Sequence, residues 1–108
     1  RITFKDGRRG TDANLPITFT LTNPYPNPFN DKISFDVLVL RDAEVAISVY
    51  DAMGRNIKQI HKGNLKSGRH KFSWSAKENS GRVTGSGIYF IKVNDKKFEL
   101  WRSVTLVK

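Results

Sequence analysis

The chain has 108 residues, no cysteine, and 19 Lys+Arg against 10 Asp+Glu, for a formal charge of +9 and a sequence pI of about 10.1. That length holds one modest core and excludes a second domain of ordinary size, and the lack of cysteine excludes disulfides, thiolate metal sites and a cysteine nucleophile. The charge raises nucleic acid or an anionic surface as a partner, but the cations stand singly or in pairs such as Arg8-Arg9 and Lys96-Lys97. A solvated basic face is therefore the leading reading, an anionic surface or acidic partner the second, and nucleic acid is not adopted as a partner.

The chain opens on Arg1 without an initiator methionine, so it reads as a piece or processed product of something longer. No stretch approaches the ~20 apolar residues of a membrane span, and the start lacks the apolar region of a signal peptide. Residues 1–14 hold a short apolar run, Ile2-Thr3-Phe4, and then a polar, glycine-bearing segment, which makes them a linker or the tail of a preceding domain. One domain, residues 15–108, follows.

Residues 15–22, Leu-Pro-Ile-Thr-Phe-Thr-Leu-Thr, alternate apolar with threonine at period two, and the proline at the head suits an edge strand. Next comes Asn23-Pro24-Tyr25-Pro26-Asn27-Pro28-Phe29-Asn30. Each proline fixes its own φ and pushes the residue before it towards extended geometry, so this is a stiff corner, with Tyr25 and Phe29 expected to cap one end of a core. From Ile33 the alternation is clear: Ile33, Phe35, Val37 and Val39 face one way, Ser34 and Asp36 the other. After Arg41-Asp42-Ala43, Val45, Ile47 and Val49 repeat the pattern, and the two runs are expected to form a hairpin.

A turn at residues 51–55 uses Gly54 for a positive φ. Residues 56–61, with Ile57 and Ile60, read as a weaker strand, and 62–69 as a loop that tucks in Leu65. His70, Phe72 and Trp74 share the face of a further strand. Residues 76–86 are polar and glycine-rich, a turn region before the strand from Gly87 to Val93. After a turn at 94–96, residues 97–108 return with Phe98, Leu100, Val104 and Leu106 on one side and Trp101 on the other.

No window sustains helical apolar spacing. The expected fold is all-β, an antiparallel immunoglobulin-like β-sandwich of about seven strands. Its core is drawn from Phe35, Ile47, Phe72, Trp74, Tyr89 and Ile91, each worth about 1.5–3 kcal/mol when fully buried.

The search for chemistry yields no catalytic, cofactor or metal site. His61 and His70 stand on different elements without the carboxylates that would complete a metal shell. No G-x-S-x-G elbow accompanies them. The glycine-rich segment 81–87 fits no phosphate-binding pattern and precedes a strand, so no helix N-terminus could meet an anion. A calcium site built from scattered loop carboxylates is a minor alternative. Trp101 reads as a surface aromatic, with contact to a partner as the alternative.

The order of motifs carries more than any one of them. Leu15-Pro16 with Phe19-x-Leu21 is followed by Tyr25-Pro26-Asn27-Pro28-Phe29-Asn30, Ile33-x-Phe35, and Tyr50-Asp51-x-x-Gly54-Arg55. Gly68-x-His70 with Trp74, Asn79-Ser80-Gly81, and Gly85-x-Gly87-Ile88-Tyr89-Phe90 come next, and the chain closes on Val104-x-Leu106-Val107-Lys108. From residue 15 onward this resembles the type A C-terminal sorting domain of the type IX secretion system, and it is also similar to the immunoglobulin-like domain of the flagellar hook-capping protein. Asp31 after the corner and Trp101-Arg102-Ser103 near the end depart from the sorting-domain pattern, which often has proline or serine and paired lysines there.

The resemblance implies a non-catalytic domain of a Gram-negative bacterium, without cofactor, that directs an upstream passenger across the periplasm to the cell surface. Its implied partners are a periplasmic carrier, an outer-membrane translocon and a surface sortase-like protease, with cleavage expected in residues 7–14. Recognition would fall on the terminal strand, at Lys97, Trp101, Arg102, Val104, Leu106, Val107 and Lys108. Tyr25, Pro26, Asn27, Pro28, Phe29, Asn30, Gly54, Gly87 and Tyr89 would be structural. A structural or adhesive spacer, or a carbohydrate- or surface-binding module using Trp101, is the alternative function.

Overall fold

The alternating runs become strands in a computed structural model that describes residues 18–108. In chain order they are β1 (Phe19–Leu21), β2 (Ile33–Val39), β3 (Ala43–Asp51), β4 (Asn56–Leu65), β5 (Gly68–Trp74), β6 (Gly87–Asn94) and β7 (Glu99–Leu106). Every pairing between these seven strands is antiparallel, and no helix occurs among the described residues. The expected Ile2-Thr3-Phe4 strand, the 1–14 linker with its cleavage segment, and residues 15–17 of the first strand lie outside the described residues.

One sheet has the order β1-β2-β5, the other β4-β3-β6-β7. Phe19 and Leu21 of β1, Ile33, Phe35, Val37 and Val39 of β2, and Trp74 of β5 face Val45, Ile47 and Val49 of β3, Tyr89, Ile91 and Val93 of β6, and Val104 and Leu106 of β7 in one buried cluster. The chain therefore folds as an all-β, seven-stranded immunoglobulin-like sandwich, with β1 at a sheet edge as its proline-headed sequence predicts.

Two expectations about connectivity fail. β2 and β3 do not form a hairpin: each lies in a different sheet, and residues 40–42 carry the chain between layers. Alternation specifies which face of a strand is buried but not which strand lies beside it. Two runs with fully apolar faces satisfy burial as well across a sandwich as within one sheet.

The second failure is β4, which continues to Leu65 where a loop was expected. Its register against β3 steps from Ile47↔His61 to Ser48↔Gln59, and from Val49↔Lys58 to Tyr50↔Asn56. The skipped residues are Ile60 and Ile57, so both isoleucines of this strand sit at bulges and their spacing is three instead of two. The period that marks a strand is lost there, while β3 still supplies the ladder through Val45↔Gly63 and Ala43↔Leu65.

The β3–β4 connection follows its sequence closely. Gly54 takes φ +85°, and the Asp51 carboxylate accepts the Met53 and Arg55 amides, both at 2.9 Å, and Arg55 Nε at 2.8 Å. These bonds favour the ionised form, so Asp51 titrates below its ordinary value of 3.8, with the Arg55 backbone amide as the largest cause.

At the same end of the sandwich, residues 75–86 form the turn region. Thr84, buried, donates to Ala76 O. Trp74 Nε1 donates to Lys77 O at 2.9 Å, and Tyr89 Oη to Gly85 O at 2.7 Å. The Tyr89 bond reaches back four residues from the start of a strand, the arrangement of an immunoglobulin tyrosine corner.

Candidate functional site

The proline corner and the terminal strand, far apart in sequence, form one structure. Prolines 26 and 28 have no backbone donor, and their peptide bonds, Tyr25-Pro26 and Asn27-Pro28, are cis. Asn27, between them, lies along the outer edge of β7 and offers its side chain as a peptide surrogate: Nδ2 donates to Ser103 O at 3.2 Å and Oδ1 accepts the Thr105 amide at 2.9 Å. Phe29 continues the contact with backbone bonds, its N–H to Thr105 O at 2.9 Å and its carbonyl accepting the Val107 N–H at 2.8 Å.

The Phe29 side chain drops into the core, only 3% exposed. Its ring packs on Trp74 at 5.9 Å, and Trp74 meets Tyr89 edge-on at 5.1 Å. Tyr25 does otherwise. It was expected to cap the core but is 76% exposed, because its backbone pairs with Ser34 and turns the side chain outward. Pro24 is the buried residue at that position.

Along β7 the side chains serve three purposes. Val104 and Leu106 are buried in the core. Arg102, half-buried on the same inward face, spans the sandwich: Nη2 donates to Leu21 O of β1 and Nη1 to Trp101 O, both at 3.0 Å. Its Nε is buried without a partner among the described residues. Trp101, 42% exposed, lies on the outer face, where Nε1 donates to Glu99 at 2.8 Å and its ring meets Tyr50 at 5.5 Å beneath Lys92 Nζ.

The predicted recognition residues therefore fall in separate places. Val107 and Lys108 lie beside the corner; Val107 lines a shallow depression of about 340 Å³ with Pro26, Pro28, Phe29 and Asn30, and the Lys108 amide donates to Ser86 Oγ at 2.9 Å. Lys97 belongs to the β6–β7 turn, where Asp95 Oδ1 accepts its amide at 2.8 Å. That turn is at the other end of an eight-residue strand, about 26 Å away at ~3.3 Å per residue. Of the predicted structural residues, Tyr89 supports the corner through Trp74, Gly87 pairs with Leu106 at the end of β7, and Gly54 serves the β3–β4 turn.

Sequence reasoning missed Asn27 as the contact to β7. The signal was present in the prolines: with Pro26 and Pro28 unable to donate, the Asn27 side chain between them is left to supply a donor to an adjoining strand. The histidines take local roles, His70 Nε2 lying 2.7 Å from Lys66 O and the His61 ring 5.5 Å from Phe72. Among the described residues no three His, Asp or Glu side chains converge as a metal site.

The fold recurs in known structures. One chain of dimeric latent PorU from Porphyromonas gingivalis aligns with a TM-score of 0.62 and 17% identity over 88% of this chain and 10% of that one. PorZ, described as an essential bacterial surface component of the type-IX secretion system of the same organism, aligns with a TM-score of 0.56 and 22% identity, over 83% of this chain and 11% of that one. The chain thus spans about a tenth of each of these proteins. No curated protein matches it. Residues 29–98 match the family described as the FlgD Ig-like domain, from the buried Phe29 of the corner to the residue before β7. With that match covering most of the sandwich, the chain belongs to the FlgD Ig-like domain family.

Proposed function

We propose that this domain is a non-catalytic C-terminal sorting module that carries an attached passenger through the type IX secretion system to the surface of a Gram-negative bacterium. The observation that carries the reading is the joint between the corner and β7. Asn27 and Phe29 hold β7 in place only when the sandwich is folded, so the Val107–Lys108 stretch beside the corner is a conformational signal that a translocon or periplasmic carrier can read. The motif order of the sorting domain and the fold shared with PorZ of that secretion system support it. Residues 1–14 serve in this reading as the linker from the passenger, and residues 7–14 as the segment cut by a surface sortase-like protease.

The test is a fluorescent passenger fused ahead of residue 1 and expressed in a bacterium with this secretion system. Surface fluorescence with the whole chain, and periplasmic retention when residues 104–108 are removed, is the expected result. Surface delivery of the truncated fusion overturns the proposal. A structural spacer is the second reading, favoured by one observation: residues 29–98 match the FlgD Ig-like domain family. A passenger that stays intracellular with the whole chain would support it.

A further inference from the structure

The edges of the two sheets are not treated alike. On the four-stranded sheet, Asn27 and Phe29 cover the outer edge of β7. On its opposite edge Asn79 covers the first half of β4, its backbone N–H donating to Ile57 O and its Oδ1 accepting the Gln59 amide, both at 3.1 Å. On the three-stranded sheet, β1 is only three residues long and Arg102 holds its Leu21 carbonyl. β5 is different. Seven residues long, it pairs with β2 on one side, and among the described residues no backbone group pairs with its other side. Unpaired strand edges of this length are templates for another strand.

Beside this edge the sandwich is incompletely closed. Three strands lie over four, and Phe72 of β5 with Ile57 and Ile60 of β4 are only half-buried here, as Ala43, Phe98 and Leu100 are elsewhere on the core's margin. The two edge strands here are also strongly basic. Residues 56–74 contain Lys58, Lys62, Lys66, Arg69 and Lys71 and no carboxylate. Asp42 and Asp36, from outside the segment, pair with Lys66 and Arg69; among the described residues no carboxylate pairs with Lys58, Lys62 or Lys71.

We propose that the free edge of β5 takes up an extended acidic peptide as a fourth strand of the smaller sheet. The added backbone would bond to β5. Its alternate apolar side chains would cover Phe72, Ile57 and Ile60, and its carboxylates, pointing outward, would meet Lys71 and Arg69. A second copy of the chain is a poor occupant, because pairing β5 with β5 sets like charges side by side. Residues 1–14, with four cations against two carboxylates, are no better matched.

The experiment uses the whole chain, isotopically labelled, titrated with a synthetic octapeptide of alternating valine and glutamate, and with valine–lysine and polyglutamate controls. The expected result is amide shift changes and slowed hydrogen exchange at residues 68–74 with the valine–glutamate peptide alone. Lys71→Glu, at an exposed site that leaves the core untouched, should weaken binding about five- to tenfold, with an unchanged circular dichroism spectrum. Perturbations confined to another surface, or equal binding by polyglutamate, overturn the proposal. So does protection of residues 68–74 in a self-associated form without peptide.

Discussion

Asn27 and Ser103 stand 76 residues apart in sequence and are joined by the Asn27 side-chain amide, whose Oδ1 also takes the Thr105 amide. One carboxamide thus fills, on the outer edge of β7, the place of a peptide group in a neighbouring strand. Asn27→Ala removes both bonds while leaving the Phe29 backbone contact. At about 0.5–1.5 kcal/mol net for each bond, the variant is expected to lose about 1–3 kcal/mol in urea unfolding and to speed exchange of the Thr105 amide more than that of core amides. Asn27→Asp keeps the acceptor for Thr105 and loses the donor to Ser103, so it should lie between alanine and the native residue.

Phe29 and Tyr25 share the corner but not its energetics. Phe29→Ala empties a site between the sheets against Trp74 and is expected to cost about 3–5 kcal/mol, with a red shift of tryptophan emission as water reaches the indole. Tyr25→Ala, at a position 76% exposed, should stay within about 0.5 kcal/mol of the parent protein. Equal effects of the two substitutions would contradict the placement of these side chains.

Arg102 is the inward cation of β7 and the clasp to β1. Arg102→Met preserves much of the stem packing but leaves Leu21 O without its donor, and a loss of about 1–3 kcal/mol is expected. Arg102→Lys should not restore it, since one ammonium cannot reproduce the paired reach of the guanidinium to Leu21 O and Trp101 O. Denaturant unfolding of the three proteins checks both points.

Asp51 ties the β3–β4 turn to pH. Its pKa is depressed in the folded chain, so its contribution to stability is fully present above the ordinary carboxylate pKa and is lost as pH falls through the lower folded value. The turn should therefore be insensitive to pH near neutrality and loosen only in acid. A titration following the Arg55 amide and the Asp51 carboxyl resonance is expected to show a shared midpoint below 3.8; a midpoint above that value would contradict the hydrogen-bonded turn.

Much of this architecture is legible in the residues. Ile33, Phe35, Val37 and Val39 announce a strand with one buried face, and Gly54 beside Asp51 announces the turn. What cannot be read is partnership. The sheet assignment of β2 and β3 depends on which apolar faces meet across the core, a non-local matter that period two does not encode. β4 escapes because its two isoleucines sit at bulges. The candidate site is harder still. Corner and terminal strand are each visible, but their contact depends on the path of the chain between them, and Asn27 looks like an ordinary turn residue until β7 is beside it.

In the proposed function the corner and the end of β7 form a single surface read by the secretion machinery. Asn30→Glu and Val107→Glu, at exposed positions lining the same depression, alter that surface while leaving the core intact. The most direct measurement is the fraction of fused passenger at the cell surface for each variant and for the pair, alongside the unfolding midpoint of each purified domain. Unchanged midpoints with surface delivery lost in either variant are the expected result. Full delivery by the doubly substituted, stably folded domain would contradict it.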